Sequence, residues 1–313
     1  MTGRMPLIVV LGPTAIGKTG LAMTLAHALE GEIIGADSRQ IYRGMDIGTA
    51  KPTPDQQRLV PHQLIDMVAP DESFGLAQYQ RLAYAAIDDA HRRRKLPLLV
   101  GGTGQYLTAV IEGWSIPEVR PNDALRIELE YFAAEHGSES LHQRLQRVDP
   151  AAAEGIHHRN VRRVIRALEV FMETGTPISQ LQQKNRPPYA IRQYGLRLER
   201  AALYQRADQR LDDMLTAGFV DEVRQLLEKG YDRNLPSMSG LGYAQLAAHL
   251  LDGIALDDAR LATCNATHDF IRRQLTWFRG HDTGIHWLDV EQINVQSVVT
   301  AIAEWRERLA CAS

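Results

Sequence analysis

The chain has 313 residues, of which 44% are hydrophobic, 23% charged and 6% aromatic; this composition excludes disordered, collagen-like and membrane-spanning classes and leaves one large or two modest globular domains. Its 35 lysines and arginines against 38 acids give a net charge of −3, which supplies no global field for a polyanion, so any nucleic-acid surface has to be local. The 2 cysteines, Cys264 and Cys311, lie far apart, which excludes a disulfide framework or a Cys-rich zinc module and fits a reducing cytoplasm.

Residues 7–11 form a continuous apolar, β-branched run that stops at Gly12, the pattern of a strand buried on both faces of a parallel sheet. That run is too short for a secretory signal, and no stretch is long enough to cross a bilayer, so a cytoplasmic chain with no membrane partner is expected. The spacing of Leu21, Ala22, Leu25, Ala28 and Leu29 predicts a helix over 19–29, ended by Gly31. Further strands are predicted over 32–36, 62–68 and 96–100, with a helix over 76–93 before the last. After Trp114 the texture changes: Pro117 and Pro121 introduce segments of helical period, no strand signal returns until about 194, and Pro187-Pro188 forbids helix continuation. The expected organisation is a core over 1–114, an inserted all-helical domain over 115–190, and a mostly helical return to the core over 191–313. The insertion is uneven in charge, with four arginines against eight acids over 115–156 and six lysines and arginines against two acids over 157–190. Its proline-marked ends predict that it swings relative to the core.

Gly12-Pro13-Thr14-Ala15-Ile16-Gly17-Lys18-Thr19 is a complete G-x-x-x-x-G-K-[ST] phosphate loop between a predicted strand and helix. Its glycines let backbone N–H groups cradle an oxyanion, Lys18 adds a mobile cation, and the Thr19 hydroxyl can ligate Mg²⁺. The loop and the strand–helix alternation together predict an α/β fold with a P-loop NTPase-like parallel sheet flanked by helices. Such a loop implies binding of a diphosphate-like group without implying chemistry at phosphorus. The strand over 96–100 leads into Gly101-Gly102-Thr103-Gly104-Gln105-Tyr106, a second glycine-rich turn, where a nucleotide hydrolase would carry an acidic Mg²⁺ ligand. Asp37, at the carboxyl end of the second strand and followed by Ser38, Arg39 and Gln40, is placed to act as a general base or to bind metal. Arg159, Arg162, Arg163 and Arg166 recur at i, i+3, i+4, i+7, while Val161, Val164, Ile165 and Leu168 take that spacing on another face. One helix would then pack and present an arginine stripe suited to the phosphates and unpaired bases of an RNA loop.

The blocks GPTAIGKT (12–19), DSRQIYRGMDIGTAKP (37–52), GGTGQY (101–106), RNVRRVIRALEV (159–170) and RRQLTWFRG (272–280) together resemble the tRNA isopentenyltransferase, or tRNA dimethylallyltransferase, family. The resemblance implies transfer of a dimethylallyl group from dimethylallyl diphosphate to the N6 amine of the adenosine 3′ of the anticodon, in tRNAs reading codons that start with U. It implies a monomer acting on the tRNA anticodon stem-loop, with the phosphate loop and Mg²⁺ on the leaving group. Asp37 then matches the family's base and Thr103 its second active-site residue. The family places a diphosphate-binding arginine where this chain has Arg206 and Arg210, one turn apart on one helix face. The tRNA contacts that the resemblance implies are Asp37, Ser38, Arg39, Gln40 and Thr103 at the target base and its neighbours, Leu125 and Arg126 in the stretch 121–126, and Arg159, Val161, Arg162, Arg163, Val164, Ile165 and Arg166. Arg272, Arg273, Trp277 and Arg279 could either grip the anticodon stem or pack the terminal helix. Two departures from the family are Thr267-His268-Asp269 in place of a basic run, and Ser239-Gly240-Leu241 in place of a cation before Gly242-Tyr243. A P-loop phosphotransferase and a nucleotide-gated RNA-binding module are the rival readings; the first leaves the arginine stripe and GGTGQY without a task, and Asp37 argues against the second. Prenylation of free adenine nucleotides would make the insertion superfluous.

Overall fold

A computed structural model describes residues 4–281 and 284–311. The chain divides into two compact units, Met1–Ile111 with Pro188–Ser313, and Glu112–Pro187. In the first unit β1 (Met5–Leu11), β2 (Gly31–Ala36), β3 (His62–Gln63), β4 (Leu96–Gly101), β5 (Tyr189–Arg197) and β6 (Ile285–Asp289) form one sheet of order β3-β2-β4-β1-β5-β6, parallel throughout. Alternation along β1 sends Ile8 and Val10 to one face, where α1 (Lys18–Ala28) packs, and Leu7, Val9 and Leu11 to the other, under α3 (Leu76–Arg92) and α4 (Gly104–Glu112). Both faces are therefore covered, which is why β1, β2 and β4 read as unbroken apolar runs. The chain winds leftward from β1 to β2 and rightward from β4 to β5, so the carboxyl ends of β1 and β4 border the crevice where ligands enter such sheets.

The strand expected over 62–68 is cut to His62–Gln63, because Leu64 and Asp66 adopt positive φ of 62° and 55°, outside the extended region. Two strands go beyond the sequence reading: β5 begins at Tyr189, and β6 has no counterpart in it. The segment after β2 packs Ile41, Tyr42 and Met45 against α11 (Phe219–Glu228) and α12 (Tyr243–Asp252). Between β2 and β3 lies the short α2 (Pro54–Leu59); α10 (Arg200–Thr216) and the 25-residue α13 (Leu256–Gly280) flank α11 and α12, and α14 (Val295–Cys311) covers α1.

The second unit is helical: α5 (Asp123–His136), α6 (Ser138–Val148), α7 (Pro150–Gly155), α8 (Val161–Thr174) and α9 (Ile178–Leu181) enclose a core that includes Leu129, Leu141, Leu145, Val164 and Leu168. Its two ends lie side by side, with Asn185 donating its backbone N–H to Gly113 O at 2.7 Å and Ser115 to Gln183 O at 2.7 Å. At its centre Glu169, fully buried on α8, accepts from Arg126 Nε at 2.8 Å, Arg166 Nη1 at 2.6 Å and the Asn122 backbone at 2.9 Å.

Candidate active site

The phosphate loop turns from β1 into α1 through two residues in the left-handed region, Ala15 at φ 62° and Gly17 at φ 98°. Gly17 caps α1 without a side chain, leaving the positive end of the helix open toward the loop. Thr14 and Thr19 line the pocket in front of it, beside Lys18, Asp37, Gln40, Thr49, Val100, Gly101 and Arg210. Ile16 is buried against the core under α1, and Gly12 and Pro13 are buried at the end of β1. Lys18 donates from Nζ to Pro13 O at 2.7 Å; burial pushes its pKa down to about 8, with Asp37 pulling upward and Arg210 downward. Burial also holds Arg210 below the usual guanidinium value, opposed by Asp37. Two cations thus converge on one carboxylate in a pocket that is short of negative charge. Arg206, one turn back on α10, is exposed and does not line the pocket.

Thr103 follows β4, two residues beyond Gly101 of the pocket lining. Its Oγ1 accepts from the Ser38 backbone N–H at 3.0 Å, and its own N–H donates to Ala36 O at 3.2 Å. Asp37 therefore stands between two fixed backbones, and one of its oxygens, Oδ1, accepts from Arg39 N at 2.8 Å. Arg39 reaches away from the pocket, donating from its guanidinium to the Pro236 and Ser237 carbonyls and to Ser239 Oγ. These acceptors lie in the 236–239 stretch, just before Gly242 and Tyr243. Gln40 donates to Thr49 O at 3.1 Å and Ala50 O at 3.2 Å, fastening the 46–52 loop over the pocket.

Two site residues escaped the sequence reading. Glu222 on α11 gathers the backbone N–H groups of Asp46, Ile47 and Gly48 at 2.7–3.2 Å and accepts from Tyr243 OH at 2.6 Å, so it shapes the same loop. Gln274 on α13 accepts from Thr14 N at 3.0 Å and donates to Gly102 O at 2.8 Å. A polar residue at an otherwise buried helical spacing, Ile271, Gln274, Phe278, is the signal that marks it. Of the cluster around it, Trp277 donates to Thr108 Oγ1 at 3.1 Å, Arg272 pairs with Asp269, and the Arg273 guanidinium lies 5.7 Å from the Phe270 ring centroid.

In the helical unit Arg159, Arg162 and Arg163 are exposed and Val161 is partly exposed. Val164 at 0% and Ile165 at 3% exposure are core residues, which corrects their inclusion among RNA contacts: they share the apolar face of α8. Arg166 and Arg126 are committed to Glu169, and Leu125 packs beside the core, so the open part of the stripe is its N-terminal half.

A divalent cation fits this donor set in one way. Thr19 and Asp37 are the hydroxyl and the carboxylate at hand, and the described residues hold no group of three or more His, Cys, Asp or Glu able to bind a metal by themselves. That suits Mg²⁺ brought with substrate phosphate oxygens and water. No helix among the described residues is long and apolar enough to cross a membrane.

Residues 40–281 match the family described as IPP transferase. A tRNA dimethylallyltransferase of Roseiflexus castenholzii is 54% identical over 274 residues, covering 88% of this chain and 90% of that protein; one of Dehalococcoides mccartyi is 46% identical over 297 residues, covering 95% and 91%. Among solved structures, the full-length tRNA isopentenylpyrophosphate transferase of Bacillus halodurans superposes with TM-score 0.73 at 38% identity, covering 99% of each chain. A eukaryotic dimethylallyltransferase acting on tRNA superposes with TM-score 0.79 at 26% identity, covering 98% of this chain and 80% of that one.

Proposed function

Because the chain belongs to the IPP transferase family, and so has tRNA dimethylallyltransferase activity, we propose that its donor is dimethylallyl diphosphate and its acceptor the N6 amine of the adenosine 3′ of the anticodon. The observation that carries this reading is one pocket holding a phosphate loop, two half-buried cations and one carboxylate, with a threonine turn next to it where a phosphotransferase would hold its second metal acid. The N6–C1 bond forms as the C1–O bond breaks, the electron pair leaves on diphosphate, and the amine proton goes to Asp37.

The exocyclic amine is a weak nucleophile because its lone pair is delocalised into the ring, so removing its proton as the bond forms lowers the barrier. Asp37 has Oδ2 for that task while Oδ1 is held by Arg39 N. Thr103, whose Oγ1 accepts from Ser38 N next to Asp37, is assigned the contact with the target base and the leaving group. Loop N–H groups, Lys18 and Arg210 bear the charge that develops on the departing diphosphate. Thr19 would hold Mg²⁺, which when bound would supply further neutralisation of the diphosphate. Arg159, Arg162 and Arg163 take the phosphates of the anticodon stem-loop, from which the target base has to be splayed.

The test is to incubate the protein with Mg²⁺, dimethylallyl diphosphate and an unmodified anticodon stem-loop, then weigh the RNA. The expected result is a gain of one dimethylallyl unit, reduced by about 100-fold or more in rate with Asp37→Ala and with RNA affinity within a few-fold of the parent. Phosphate transfer from ATP without any mass gain on RNA would replace this reading with the phosphotransferase one.

A further inference from the structure

We infer that Gln274 is a positioning residue of the transfer reaction: its carboxamide fixes the distance between the loop that holds the leaving group and the turn that carries Thr103. The inference rests on the function proposed above. The Thr14 backbone N–H donates to Oε1 at 3.0 Å, and Nε2 donates to the Gly102 carbonyl at 2.8 Å. One partner is an N–H and the other a C=O, so the orientation of the amide is dictated and not a matter of choice. The side chain is buried, at 6% exposure.

The two backbones it joins nearly touch. A Cβ on Gly102 would lie 2.6 Å from Gln274 Nε2, 3.2 Å from Gly12 O and 3.4 Å from Lys18 Nζ. Gly102 is followed by Thr103, whose Oγ1 receives the Ser38 N–H next to Asp37. A continuous series of backbone and side-chain bonds therefore runs from the diphosphate loop, through Gln274, to the base. The anchor is stiff. Gln274 sits within the 25 residues of α13, with Ile271 one turn before it buried in the core beneath α1 and Trp277 packed on Gly104, where a Cβ would come 2.3 Å from the indole. A bond-making carbon has to lie between these two walls, and errors of about 1 Å in such a gap cost on the order of 100-fold in rate.

Only a carboxamide of this length accepts at one end and donates at the other. Methionine keeps the volume and loses both bonds; glutamate keeps the acceptor for Thr14 and faces Gly102 with a second acceptor. The experiment measures single-turnover transfer and separate donor and RNA affinities for the parent, Gln274→Met, Thr103→Ala and the double variant. The expected result is a loss of roughly 100-fold in the transfer step for Gln274→Met, with both affinities within about 3-fold, and little further loss when Thr103 is already alanine. Non-additivity is a readout that a merely structural role would not move. Additive losses, weakened substrate binding with an intact transfer step, or a transfer rate within about 3-fold of the parent would each overturn the inference. Should Gln274→Met fold poorly, Gln274→Glu is read in the same cycle against the same outcomes. A parent enzyme that transfers nothing would instead sink the function itself.

Discussion

Lys18 holds its proton less tightly in the folded chain than in the unfolded one, because burial lowers its pKa from 10.5 to about 8. Folding therefore carries a penalty that is fully present below pH 8 and is relieved as pH rises from 8 toward 10.5, where the unfolded chain still binds the proton. Replacing Lys18 with methionine is expected to raise the melting temperature at pH 7, by less at pH 10, while abolishing turnover. A bound diphosphate reverses the local balance by favouring the ammonium. Donor binding near pH 8.5 should take up a fraction of a proton, seen by calorimetry in buffers of different ionisation heat, and affinity should fall as pH rises through 8; proton release would contradict this account. Such a residue could be placed from the sequence because its loop is contiguous. Asp37 and Thr103 needed the family resemblance to be paired, and Arg210 is separated from Arg206 only by which face of α10 turns inward.

Within α8 the same residues serve two purposes. Its buried carboxylate, Glu169, would be driven up in pKa by desolvation, yet the bonds from Arg126, the Asn122 N–H and Arg166 hold it below the usual value. Its contribution to stability is thus present above the unfolded carboxylate range and lost as pH falls through the lower, folded value. Glu169→Ala leaves two arginines and a backbone N–H without their acceptor, and is expected to destabilise the helical unit by about 3–5 kcal/mol, read as lost amide-exchange protection across α5 and α8. Unchanged protection would show that water replaces the carboxylate. The apolar spacing of α8 was plain in the sequence, but spacing alone does not separate residues that face RNA from those between faces, and Val164 and Ile165 went inward. Strands β1, β2 and β4 announce themselves as apolar runs, whereas β5 carries Arg192, Gln193 and Arg197 and β6 carries His286 and Asp289, so neither has an unbroken signal. The shortening of β3 follows from two backbone conformations that no periodicity encodes.

For the molecule as a whole, a net charge of −3 means that RNA affinity has to come from local cations. If Arg159, Arg162 and Arg163 each neutralise one phosphate of a single-stranded loop, replacing all three with alanine should reduce the slope of log affinity against log salt by about 2. An unchanged slope would move the RNA surface elsewhere. The division into an α/β unit and a helical insertion leaves its mark in the sequence as a loss of strand signal between two proline-rich stretches, while the closing of the sheet around β1 does not, since its partners lie far apart in the chain. Strand β1 pairs with β4 on one side and β5 on the other, and the whole of Glu112–Pro187 is made between those two partners. At about 5–20 residues per second, a ribosome leaves one edge of the central strand bare for roughly 4–15 s while the insertion emerges and folds. An apolar edge exposed for that long is a pairing hazard for neighbouring nascent chains. In the living cell the insertion is therefore an interval of time as well as a length of chain, and a holdase that masks β1 during it would raise the yield of active protein.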